Sequence, residues 1–101
     1  MAGNMKMLRQ LQEKMAQMQA DLGQQVVVGT AGGGAVKATV NGHQELLTVE
    51  ISPEVVEAGD VTMLQDLVLA AVNQAMAASR ELAAREMGQL TAGLGLPPGL
   101  I

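Results

Sequence analysis

The chain has 101 residues, of which 49% are hydrophobic, and it contains no Phe, Trp, Tyr or Cys. This length fits one domain, and the missing residue types exclude disulfides, thiolate zinc sites and aromatic platforms for stacking nucleobases. The single His excludes a multi-histidine metal site within one subunit. A core without rings must be built from aliphatic side chains and Met. Because a single chain of this size buries only about 60–70% of its unfolded surface, a core shared with a second copy is favoured.

The formal net charge of −4 is unevenly distributed along the sequence. Residues 1–44 carry four basic and two acidic side chains, whereas residues 45–101 carry two basic and eight acidic ones. Such asymmetry can mark a basic arm on an acidic body. The N-terminus lacks a signal-peptide pattern, and no apolar run approaches the roughly 20 residues of a membrane helix. The absence of Cys agrees with a cytoplasmic location, and we expect no membrane partner.

The first segment, residues 4–23, has the pattern of an amphipathic helix that Asn4 can cap and Gly23 can end. Lys6, Arg9 and Glu13 fall on the side opposite the apolar positions, and Lys14 flanks them. Charges of this kind usually form a solvated face. The apolar positions recur at alternating spacings of three and four, which is a heptad seam: Leu8, Leu11, Met15, Met18 and Leu22.

Three strands are predicted after this helix. Residues 26–28 are consecutive valines, residues 35–40 alternate with Val36, Ala38 and Val40 on one face, and residues 44–51 form the third strand. Three consecutive glycines and the Asn41-Gly42 pair separate the strands and favour hairpins. The result is a three-stranded antiparallel meander, with one face expected to be buried under a helix.

A second long helix is predicted from about residue 61 to about residue 87. Thr62 with Gln65 has the form of a capping box, and Asp60 is an alternative cap. Its heptad positions include Leu64, Val68, Ala71 and Ala75. The sequence thus predicts an α+β fold of order α-β-β-β-α in residues 1–90, followed by a flexible Gly/Pro/Leu tail in residues 91–101.

No arrangement of residues predicts an enzyme, a cofactor, a metal site or a small-molecule substrate. The triple glycine precedes a strand rather than a helix, so a hairpin is a better interpretation than a phosphate cradle. His43 beside a turn has no second ligand. Met residues cluster on the first helix at positions 1, 5, 7, 15 and 18. They favour packing in the seam, although Met can also serve an adaptable binding surface.

Taken in order, these signals resemble the YbaB/EbfC family of small bacterial nucleoid-associated proteins over essentially the whole chain. No single stretch decides the resemblance, but the order and spacing together are specific. The matching stretches are residues 5–22, 28–37 (VGTAGGGAVK), 40–42 (VNG), 49–56 (VEISPEVV), 63–67 (MLQDL), 70–75 (AAVNQA) and 95–99 (GLPPG).

The resemblance implies an intertwined homodimer with projecting helical arms. It also implies binding to double-stranded DNA, a location on the nucleoid, and a role in chromosome organisation and gene regulation. The acidic net charge opposes DNA binding, so contact with phosphates needs a locally basic surface. The first helix is the best candidate, and the full set of candidates is Lys6, Arg9, Lys14, Lys37 and Arg80.

Lys37, Arg80 and Arg85 are weaker candidates than the first helix, and Arg85 falls at a seam position where the alternative is pairing with an acid. The alternative function is a non-enzymatic scaffold that binds another protein and has little or no affinity for DNA. Net acidity and the apolar tail motivate this alternative. It predicts no duplex binding at physiological salt and a protein partner that is lost on truncation after Thr91.

Overall fold

A computed structural model describes residues 2–93 and residue 95. It confirms the order helix, three strands, helix and adds one short helix before the last. The elements are α1 (Ala2–Gln24), β1 (Val26–Ala31), β2 (Val36–Asn41), β3 (Leu46–Ile51), α2 (Pro53–Glu57) and α3 (Val61–Gly93).

The three strands form one antiparallel sheet of order β1-β2-β3, as the turn signals predict. Alternation along the central strand β2 is confirmed, because Val36, Ala38 and Val40 are completely buried while Lys37 is exposed. The triple glycine joins β1 to β2, and all three residues have positive φ angles of 64–93°. Glycine adopts such angles without strain, so the hairpin interpretation of this segment is confirmed.

The expectation that one face of the third strand is buried is wrong for this chain. Every residue of β3 is exposed on both faces, and the strand starts at Leu46 rather than residue 44. The reason is the path of α3, which packs mainly across β1 and β2 and barely touches β3. A register shift between Thr39 and Val40 also gives β3 one extra residue.

Helix α3 packs closely on the sheet because small residues face each other. Ala71 and Ala75 are fully buried against the β2 valines, with Leu64 and Val68 packed beside them. Gly29 of β1 lies directly against the backbone of α3 near Ala71 and Ala75. Any larger residue there would hold the helix away from the sheet.

Helix α1 packs on the second half of α3 and, at its C-terminal end, on Val27 of β1 and on the turn after β2. Met18 and Leu22 form a small core with Leu82. Leu11 and Met15 are half-buried, and Leu8 is 58% exposed. The predicted seam is therefore covered at its C-terminal end only, and the two helices extend the molecule to 67 × 21 × 16 Å.

Two helix boundaries differ from the sequence prediction. Asn4 lies inside α1 rather than at its cap, and α1 ends one residue after Gly23. Between the two alternative caps of α3, the structure selects Asp60, whose Oδ1 accepts a hydrogen bond from the Met63 N–H at 2.9 Å. The sequence does not predict helix α2, because Pro53 and the acidic residues after it resemble a loop and five residues are too few for a periodic signal.

The last helix is longer than predicted. It continues to Gly93, so residues 91–93, the start of the predicted flexible tail, are helical, and Thr91 is buried. Residues 94 and 96–101 lie outside the described residues, and their flexibility stays a prediction. By length and composition alone α3 could cross a membrane, although the core helices of soluble proteins can have the same length and composition. Within its apolar 18-residue stretch, 11% of the residues are buried.

Candidate nucleic-acid interface

The charges separate along the long axis of the molecule. We call α1 together with residues 78–93 of α3 the arm, and residues 25–77 the body. The arm carries five basic and four acidic side chains, whereas the body carries one basic and six acidic ones. The body therefore has a net charge of −5 and the arm a net charge of +1, which together give the −4 of the chain.

Lys6 and Arg9 lie at the far end of the arm. Every residue from 3 to 10 is exposed, and residues 2–12 contain no acid. Positions three apart on a helix lie on the same face, which places both cations on the side away from Leu11 and Met18. Within the described residues, no carboxylate oxygen lies within 4.0 Å of either cation. The predicted basic face is therefore present and open to solvent.

Lys14 has a different environment from the other two cations of α1. It lines an open cleft of about 280 Å³ between α1 and α3, together with Asp21 and Glu86. Two nearby carboxylates lower the positive potential at this position. Lys14 is therefore a weaker candidate for phosphate contact than Lys6 or Arg9.

The remaining predicted contacts are not brought together with the α1 cations. Lys37 lies on the open face of the sheet, and its Nζ is 3.7 Å from Glu50 Oε2. Arg80 is exposed on α3 within the arm, as predicted. Arg85 is also exposed, and among the described residues no acid lies within ion-pair distance of it. Within the described part of the chain, the alternative that Arg85 pairs with an acid is therefore not realised.

A buried polar junction fixes the arm to the body. The Ser79 hydroxyl donates to the Asn41 carbonyl at 2.7 Å, and the Gly42 N–H donates to the Leu22 carbonyl at 2.9 Å. The Asn41 side chain accepts from the backbone N–H groups of His43 and Glu45. The sequence predicts only a hairpin here, because the hydrogen-bond partners of the junction come from three elements far apart in the chain.

His43 is exposed beside the turn, as expected, and its ring lies next to Gly23 of α1. Within residues 2–93 and residue 95, no group of three His, Cys, Asp or Glu side chains is arranged to hold a metal ion.

Comparison with protein families identifies the family of this chain. The model of the YbaB/EbfC DNA-binding family matches residues 1–94. The chain belongs to the YbaB/EbfC DNA-binding family. The resemblance predicted from the sequence is thus confirmed, and the family is one of nucleoid-associated DNA-binding proteins rather than a known family of enzymes.

Individual members of the YbaB/EbfC family are similar to this chain over most of their length. A nucleoid-associated protein of Thermoanaerobacter pseudethanolicus is 51% identical over 92 residues, which cover 91% of this chain and 83% of the relative. A nucleoid-associated protein of Pelotomaculum thermopropionicum is 46% identical over 101 residues and covers 96% of each chain.

A solved structure supports the fold. The uncharacterized protein HP0035 from Helicobacter pylori has a TM-score of 0.73 with this chain and 22% sequence identity. The similarity covers 82% of this chain and 87% of that protein. At this identity the similarity establishes the α+β fold alone.

Proposed function

We propose that this chain is a nucleoid-associated protein that binds duplex DNA as a homodimer, through phosphate contacts from Lys6 and Arg9. In this proposal it acts in the cytoplasm on the nucleoid, where it helps to organise the chromosome and regulate genes. The observation that carries the proposal is the open basic face at the end of the arm, in a chain of the DNA-binding family.

The acidic net charge opposes DNA binding, but the acids of the body lie far from the basic face at the end of the arm. Asp66 lies near the start of α3 and Gly93 at its end, and their separation of 27 positions along the helix corresponds to about 40 Å. The Debye length at physiological ionic strength is only about 8 Å. The acids of the body are therefore screened from a phosphate held at the end of the arm.

An exposed apolar surface supports the second subunit. Ile51 of β3 and Leu64, Val68, Leu69 and Val72 of α3 line an open depression of about 480 Å³ that is almost entirely apolar. Leu46, Leu47 and Val49 are also exposed on β3. In this proposal the partner covers this surface, which we call the β3–α3 surface, and the dimer carries two copies of the basic face.

The DNA contacts are tested by replacing Lys6 and Arg9 with Glu and measuring the affinity for duplex DNA across a salt series. Four phosphate contacts in the dimer contribute about 3.6 to the slope of log affinity against log salt. The double variant should lose most of its affinity, and its slope should be shallower by about this amount.

The comparison variant is Arg80→Glu/Arg85→Glu, which changes the charge of the arm equally at weaker candidate positions and should lose much less affinity than Lys6→Glu/Arg9→Glu. Circular dichroism and molar mass should be unchanged in both variants. If the Lys6→Glu/Arg9→Glu variant retains the affinity of the parent, these residues are not the interface. If the parent itself does not bind duplex DNA at physiological salt, the protein-scaffold alternative is favoured instead.

The dimer is tested with Leu69→Asp, which places a charge in the β3–α3 surface where Leu69 is 61% exposed. The molar mass measured by light scattering should fall to that of one subunit. Ala70→Asp is the control, because residue 70 is exposed about 100° around the helix from residue 69. A dimer that survives Leu69→Asp would place the interface elsewhere.

A further inference from the structure

The end of the arm carries apolar side chains beside its basic ones. Met5 is 68% exposed and Leu8 is 58% exposed. Both lie beyond the part of α1 that α3 covers, since Leu90 and Lys14 line the same cleft and α3 ends three residues later, at Gly93. Unlike Met18 and Leu22, these two side chains have no role in the core of the described chain.

The spacing places the apolar and basic residues in two parallel rows. Met5 and Leu8 are three residues apart and so lie on one face of the helix, as do Lys6 and Arg9. Each basic residue follows an apolar one, and Arg9 is four residues after Met5, which makes their side chains neighbours on the surface. An apolar row therefore runs directly beside a basic row at the end of the arm.

We propose that Met5 and Leu8 form a wedge that inserts into the minor groove of duplex DNA and bends it. This inference rests on the proposed function, because Lys6 and Arg9 hold the adjacent phosphates. The charge of the basic row favours a polyanionic partner over an apolar protein surface. An α-helix about 10–12 Å wide fits a major groove about 12 Å wide but cannot enter a minor groove about 6 Å wide, so a helix lying over the minor groove can contact the bases only with its side chains. Side chains at its surface reach the base steps only by insertion.

Insertion has a defined effect on DNA. Apolar side chains such as Met and Leu partly unstack a base step and bend the duplex by about 20–90° toward the major groove. Met suits this role because its unbranched side chain adapts to an irregular gap. Pyrimidine–purine steps such as TA unstack most easily, so the wedge is expected to prefer them while the basic row contacts any sequence.

The experiment uses a short duplex with 2-aminopurine at a central TA step and a fluorescent donor and acceptor at its ends. With the parent protein, 2-aminopurine fluorescence should rise and the ends should move closer. The Met5→Ala/Leu8→Ala variant should lose both signals, while its affinity for the duplex falls less than tenfold. The conservative Met5→Leu/Leu8→Met variant should keep both signals.

Val61→Ala is the control for removing an exposed apolar side chain, because Val61 is exposed at the opposite end of α3. It should leave both signals unchanged. Equal bending by the parent and the Met5→Ala/Leu8→Ala variant overturns the wedge, and so does a parent that binds the duplex without bending it. Only a parent that fails to bind the duplex at all contradicts the proposed function itself.

Discussion

Individual glycines decide how closely the elements of this protein approach one another. Gly29 and Gly42 are both buried, and a Cβ on either would meet backbone atoms of a helix, the Ala71 carbonyl in one case and the Leu22 carbonyl in the other. Neither contact is visible in the sequence, where Gly29 sits among β-branched residues and Gly42 looks like an ordinary turn residue. Both contacts depend on which helix crosses the strand, and that is decided by the whole fold.

Replacing Gly29 with Ala should lower the free energy of unfolding by about 1–3 kcal/mol, because the added methyl group forces α3 away from β1. Urea denaturation at fixed protein concentration measures this change. Gly88→Ala is the control, since nothing lies within 4 Å of a Cβ at that helical position. It should be stabilising by about 0.4–1 kcal/mol. A Gly29→Ala protein as stable as the parent would show that α3 is not seated as described.

At the level of elements, local patterns predict the β-meander well. Alternation in β2 and the turn residues on either side of it specify both the strand and its buried face, because that information lies within a few neighbouring residues. The exposure of β3 could not be predicted in this way. Ile51 and Val49 have the alternation of a half-buried strand, but their burial depends on the path of α3 and on what covers the β3–α3 surface.

The start of α3 provides a prediction at this scale. Asp60→Ala removes the hydrogen bond that caps the helix and should lower the free energy of unfolding by about 1 kcal/mol. Thr62→Ala tests the alternative cap and should change it by less than about 0.5 kcal/mol. Thermal unfolding of the two variants and the parent at one concentration compares them. A larger effect of Thr62→Ala would indicate a capping box instead.

For the molecule as a whole, the sequence predicts the candidate site only in part. The basic residues of α1 can be located from helical periodicity, and their side of the helix is confirmed. The absence of an ion pair at Lys6 and Arg9 in the described chain could not be predicted, because the sequence does not show that Glu86 lies near Lys14 while Lys6 and Arg9 extend beyond α3. The separation of an acidic body from a basic arm is a property of the folded chain.

This separation predicts that the position of a charge matters more than the net charge. Glu57→Gln with Asp66→Gln removes two exposed acids from the body and should change DNA affinity less than twofold at physiological salt, where screening acts over about 8 Å. Glu13→Gln removes one acid four residues after Arg9 and should strengthen binding more. Equilibrium titrations at a single salt concentration compare the variants. Equal gains from both would mean that net charge controls affinity.

The junction at Asn41, Gly42 and Ser79 holds the C-terminal end of α1 in place, so the direction of the whole helix depends on these residues. The helix has 23 residues and is about 34 Å long. A rotation of α1 by about 10° about its C-terminal end moves its N-terminal end sideways by about 6 Å, which is the width of a minor groove. In the proposed dimer, the gap between the two α1 helices would set the curvature of any DNA held between them. The buried residues of the junction, although far from any phosphate, would therefore determine the width of that gap.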